Sequence, residues 1–113
     1  MSDNIKSILK EIKQIIMFCG FEVLSIKQIK KPRANFLIVE TQSKGRFRKK
    51  NYFVGISDGL NGLLAAEREF ARRGSKGGQF LIIDTNNSLP STSFKAVKLI
   101  HTYEELQEEL QSK

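Results

Sequence analysis

Acidic residues are missing from a long internal stretch: between Val23 and Val39 the chain carries no aspartate or glutamate. A two-carboxylate metal centre would have to draw its acids from outside that stretch. Cysteine is scarce too, Cys19 being the only one. An internal disulfide is excluded, and an intracellular setting, cytoplasmic or nuclear, is the expectation. Placed just before Gly20 at the end of an expected helix, Cys19 reads as a small apolar packing residue and not as a reactive thiol. His101 is the single histidine; without a patterned acid or cysteine partner it reads as a surface or capping residue. No serine sits in a glycine-flanked nucleophile elbow, and no pattern calls for a cofactor or a Cys/His-bound metal. No apolar run approaches the ~18 to 20 residues of a membrane span, so no membrane partner is expected. The start, MSDNIKSILK, lacks the basic cluster and apolar run of a secretory signal.

What the chain has in excess is positive charge. Its formal net charge is +7 over 113 residues, enough chain for one domain (1–113) with a single modest core. From Lys27 to Lys50 there are nine basic residues against one acid, Glu40, whereas Glu104 to Glu109 holds four acids and no base. Such polarity gives the molecule a positive end, for which a polyanion is the usual partner.

The elements follow from periodicity. Ile5, Ile8, Leu9, Ile12, Ile15, Ile16 and Cys19 form one stripe of a helix over 4–19, with Lys6, Lys10, Lys13 and Gln14 on the wet side. Phe21 to Ile29 alternates as a strand, Phe21, Val23, Ser25 and Lys27 on one side, Glu22, Leu24, Ile26 and Gln28 on the other. Lys30-Lys31-Pro32-Arg33 turns the chain. Ala34 to Gln42 is a strand whose run Phe36-Leu37-Ile38-Val39 predicts cover on both faces. Ser43-Lys44-Gly45-Arg46 is the next turn, and Asn51 to Ser57 returns as its partner. Centring that hairpin on Lys44 and Gly45 places Asn35 opposite Gly55.

After Ser57 the period becomes helical. Asp58 or Asn61 caps a helix carrying Leu60, Leu63, Leu64, Ala66, Phe70 and Ala71 and ending at Arg72-Arg73-Gly74. The two arginines suit the helix dipole there, and a phosphate contact would use the same charges. Ser75-Lys76-Gly77-Gly78 leaves a helix and enters the strand Phe80 to Ile83, the wrong order for a phosphate-binding loop. Asp58 and Asp84 end strands, where capping and turn roles explain both. A polar loop over 85–94 precedes a strand at Val97 to Ile100. Thr102-Tyr103-Glu104-Glu105 has the capping-box pattern of a last helix containing Leu106 and Leu110. The order is therefore α-β-β-β-α-β-β-α, an α/β (α+β) chain with a mixed central sheet flanked by helices.

In this order, and in the stretches LLAAEREFARRGSKGGQFLIIDT and VKLIHTYEELQEEL, the chain resembles the restriction-endonuclease-like superfamily, which includes Mrr-type enzymes and Holliday-junction resolvases. The resemblance implies that fold. In members that cut nucleic acid, an acid begins the second strand and an acid-x-lysine lies on the third. Two carboxylates hold a divalent cation, and the lysine orients the attacking water. Through the expected hairpin register those positions fall at Asn35, Gly55 and Ser57, an amide, a hydrogen and a hydroxyl. A second register makes Glu40-Thr41-Gln42 the acid-x-lysine strand, with Gln42 for the lysine and Glu22 as a cross-strand ligand.

The hairpin itself interleaves cations with aromatics, Arg46-Phe47-Arg48-Lys49-Lys50-Asn51-Tyr52. Lys30, Lys31, Arg33, Lys44, Arg46, Arg48, Lys49 and Lys50 are the expected phosphate contacts, and Tyr52 a ring offered to an unpaired base. Phe47 and Phe53 share the other side of the strand and read as core. Five such cations on a duplex give a slope of log affinity against log salt of roughly −4 to −5. The expectation is thus a metal-free, non-catalytic domain binding DNA or RNA within a larger complex. The alternatives are a scaffold subunit or homodimer docking on an acidic protein surface, and a nuclease using Glu22, Glu40 and Gln42.

Overall fold

The computed structural model describes residues 3–31, 34–45, 50–57, 59–73, 78–86 and 97–111. The elements are α1 (Asp3–Phe18), β1 (Phe21–Lys31), β2 (Ala34–Ser43), β3 (Asn51–Ile56), α2 (Leu60–Arg73), β4 (Gln79–Ile83), β5 (Val97–Ile100) and α3 (Tyr103–Gln111). They form the expected order, an α+β chain around a five-stranded sheet of order β1-β2-β3-β4-β5. The first three strands are an antiparallel meander. β4 runs parallel to β3, and β5 parallel to β4. Among the described residues no helix is long and apolar enough to cross a membrane.

Strand alternation divides the core between the two faces. Leu37, Val39, Tyr52, Val54, Ile56, Leu81, Ile83 and Ile100 point one way, where Ile5, Ile8, Ile12 and Ile16 of α1 and Leu106 and Leu110 of α3 cover them. Phe36, Ile38, Phe80, Ile82 and Val97 point the other way, against Leu63, Ala66 and Phe70 of α2. Phe70 stacks on Phe80 with ring centroids 4.7 Å apart, and Phe53, half-buried, tilts against Phe80 from the same face. The doubly covered run Phe36 to Val39 is fully buried, which is why it shows no polar alternation.

Two registers differ from the sequence expectation. The β2–β3 ladder pairs Ile38 with Gly55 and ends at Gln42 opposite Asn51, so Asn35 does not face Gly55. The hairpin connection is longer than a tight turn, closing where Ser43 N–H donates to the Lys50 carbonyl and Lys50 N–H donates to Ser43 Oγ. Packing sets this register: a Cβ on Gly55 would lie 3.1 Å from Phe70 and 3.2 Å from Ala66, so the glycine has to sit beneath α2. A slip of three residues would turn Gly55 to the α1 face and put a larger side chain there.

β1 carries the second difference. Val23 pairs with Thr41 but Ser25 pairs with Glu40, leaving Leu24 as the extra residue of a β-bulge. The bulge reverses the alternation, so Ile26, Gln28 and Lys30 join Phe21 and Val23 on the α1 face. Ser25, Lys27 and Ile29 turn to the α2 face. A periodicity count across residue 24 cannot see this, because one extra residue flips everything after it.

The end of α1 and the start of α3 are built as their sequences predict, whereas Asn61, an expected cap of α2, lies inside that helix. Gly20, at φ +81°, makes the turn after α1. Ser57 Oγ donates to the Asn35 carbonyl at 2.8 Å and accepts from Gly59 N–H, tying the end of β3 to the entry of α2. Asp58 and Gly74, to which the sequence assigns a cap and a helix stop, lie outside the described residues. At α3 Glu105 N–H donates to Thr102 Oγ1, and the Glu105 carboxylate accepts from His101 N–H, a capping box shifted back by one donor.

Candidate nucleic-acid interface

β2 separates the cations that the sequence groups together. Lys30 pairs with Asn35 at one end of the strand, while Ser43, next to Lys44, pairs with Phe21 at the other. Ten residues at ~3.3 Å each put the two ends about 30 Å apart. Lys30 and Lys44 therefore belong to opposite ends of the sheet and not to one site. Lys30 and Lys44 are exposed and Lys50 is half-buried. Arg33, Arg46, Arg48 and Lys49 lie outside the described residues, as do Phe47 and the Lys31 side chain.

Tyr52 is a correction. It is 1% exposed, packs against Phe21 with centroids 5.6 Å apart, and donates its hydroxyl to the Glu109 carbonyl at 3.2 Å. Its strand face turns inward beneath α1 and α3, so the ring is core and offers nothing to a base. Alternation alone places it with Lys50 and leaves open which side is wet; the second helix, α3, decides.

Sequence reasoning passes over the lysines of α1 that continue from the Lys44 end. Lys6, Lys10 and Lys13 recur at steps of four and three on α1 and are all exposed. The turn at Gly20 sends β1 back beneath the helix, and Lys44 N–H donates to the Gly20 carbonyl at 3.2 Å. Lys13 and Lys44 consequently line one cleft with β1. From there Lys10 and Lys6 carry the charge toward the far end of the sheet, Lys6 lying about 10 Å from Lys13 along the helix at 1.5 Å per residue. The signal in the sequence is a lysine stripe on one helix edge, which by itself looks like mere solvation.

The three positions expected to correspond to a cleavage centre have structural roles. Gly55 makes room for Phe70 and Ala66, Ser57 bridges Asn35 to Gly59, and Asn35 contributes its backbone carbonyl. The second register does gather its residues: Glu22 pairs directly with Gln42, and both share a face with Glu40. Glu40 is half-buried and accepts from Ser25 Oγ at 3.2 Å, while Glu22 is exposed. Among the described residues no group of three or more His, Cys, Asp or Glu side chains is placed to hold a metal ion.

The other singled-out residues fall into place around these. Cys19 is half-buried beside the Gln107 carbonyl, and burial pushes its thiol upward. His101 Nδ1 lies 3.2 Å from the Asp84 carbonyl, where the ends of β4 and β5 meet. Arg72 pairs with Glu69 one turn earlier on α2, at the helix end where the dipole favours a cation. Glu67 is buried, and its Oε2 has no hydrogen-bond partner among the described residues. No protein-family model, curated protein or solved structure matches the chain.

Proposed function

We propose that this chain is a non-catalytic nucleic-acid-binding domain built on a restriction-endonuclease-like fold and working within a larger complex. The observation that carries the proposal is the run of exposed lysines, Lys44, Lys13, Lys10 and Lys6, along the flank where α1 overlies β1. Spaced cations on a rigid helix follow a polyphosphate backbone and need no sequence-specific contact to do so. The element order and the mixed sheet with helices on both faces support the fold assignment. In the observed register Gly55 faces Ile38, and neither a hydrogen nor a hydrocarbon side chain is a ligand for a hard divalent cation, which supports the non-catalytic part.

The test is charge reversal on the flank. Lys6→Glu, Lys10→Glu and Lys13→Glu together are expected to weaken oligonucleotide binding at least about 100-fold at low salt, with the melting temperature little changed since all three side chains are exposed. Affinity within about threefold of the parent rejects the flank as the interface.

Two other readings each have an observation behind them. The shared face of Glu22, Glu40 and Gln42 favours a metal-dependent nuclease, and plasmid cleavage with Mg²⁺ or Mn²⁺ that Glu40→Ala abolishes would establish it. The exposed Leu24 and Ile26 on edge strand β1 favour a protein-docking role or a homodimer. A complex that survives nuclease treatment of a cell extract would point there.

A further inference from the structure

A cleft of about 360 Å³ opens between the last turns of α1 and the start of β1. Its apolar lining is Met17, Phe21, Val23 and Ile26, and Lys13 and Lys44 stand on its rim. The bulge at Leu24 creates it. By reversing the alternation, the bulge turns Ile26 to the α1 face beyond the cover of the helix, where it remains 39% exposed, while Met17 is 67% exposed. Glu22 also lies on the rim, so two cations oppose one acid and the net field is positive.

We infer that this cleft seats one unpaired base of a single-stranded nucleic acid, with Lys13 and Lys44 taking the phosphates on either side of it. The inference rests on the nucleic-acid reading and adds a site and a substrate class to it. Apolar floor and cationic rim together are what decide the ligand. A phosphate alone has no use for exposed Met17 and Ile26, and an apolar segment has no use for the two lysines. A nucleotide presents both chemistries at once: a flat, weakly polar face to cover the floor, and charge on its two flanks. Met17 adds a polarisable thioether able to rest against an aromatic ring. In a duplex the base faces are stacked on one another and cannot enter, so the cleft selects against paired strands. The cations leading away along α1 then hold the strand that continues from the seated nucleotide.

The experiment is fluorescence anisotropy of the full chain with a labelled single strand of mixed sequence, about 12 nucleotides long, and with the matching duplex. The parent is expected to bind the single strand at least about tenfold more tightly. Ile26→Asn and Met17→Gln each replace an apolar wall of the cleft with a neutral amide at an already exposed position, leaving the charge of the flank unchanged. Each should remove about tenfold of single-strand affinity, leave duplex affinity within about twofold, and leave thermal melting intact. Single-strand affinity unchanged in both variants, or a parent that prefers the duplex, overturns the base seat while leaving nucleic-acid binding in place. A parent that binds neither oligonucleotide overturns both, and binding of an acidic apolar peptide in their stead assigns the cleft to a protein partner.

Discussion

At the scale of single residues, the positions that the sequence sets against a cleavage centre do structural work. Gly55 is the clearest: its missing side chain is the space that Phe70 and Ala66 fill. Introducing an acid by Gly55→Asp is therefore expected to lower stability by about 2–4 kcal/mol, through overpacking and a carboxylate forced under an apolar helix. Urea denaturation measures this, and a variant as stable as the parent would show that the room exists. Asp at this position sits opposite Ile38 and not Asn35, so added Mg²⁺ should not rescue the variant. The sequence shows which residue types stand there but hides the reason, since a glycine's neighbours on a distant helix leave no local mark.

Two ionisable groups give a pH signature at the same scale. Burial raises the Cys19 thiol above its ordinary value of 9.0, and burial, then the nearby Glu11 charge, raises Tyr103 above 10.0. Both groups hold their proton more tightly in the folded chain than in the unfolded one. Their contribution is thus complete below the ordinary values and declines as pH rises through them, because the unfolded state releases protons first. The urea midpoint should fall between about pH 9 and pH 11, and Cys19→Ala with Tyr103→Phe should flatten that fall. An alkaline limb equally steep in the double variant would assign it to other groups.

At the scale of elements, periodicity is a sound guide wherever one face is covered by one partner. α1, with its isoleucine stripe, and α3, with Leu106 and Leu110, need nothing more. It fails at β1, where the bulge at Leu24 reverses the faces, and at the β2–β3 hairpin, where the fit of Gly55 beneath α2 sets the register. The ladder is regular on both sides of Leu24, so deleting that residue joins two segments already in register. The deletion is expected to keep the fold and to change the melting temperature by no more than about 5 °C, since it removes only an exposed leucine and an unpaired peptide unit. Inserting one alanine after Ile38 should instead unfold the chain, because it exchanges the buried sets of β2. Circular dichroism melts of the two variants separate these outcomes, and a deletion that also unfolds would mean the bulge itself holds the sheet's twist.

At the scale of the whole molecule, the sequence gives the amount of positive charge but misplaces it. The net +7 stands, but Lys30 and Lys44 lie at opposite ends of about 30 Å of strand, whereas Lys6, Lys10 and Lys13, which the sequence assigns to solvent, continue along α1 from the Lys44 end. Sequence distance and surface distance part company in any antiparallel meander, and only the turn at Gly20 reveals that α1 lies along β1. The nucleic-acid reading therefore depends on whether that flank meets phosphates. The most direct measurement is the affinity of the parent for a single-stranded oligonucleotide across a series of salt concentrations. Four lysines neutralising phosphates predict a slope of log affinity against log salt of about −3. A slope near zero, or no measurable binding at the lowest salt, would contradict it.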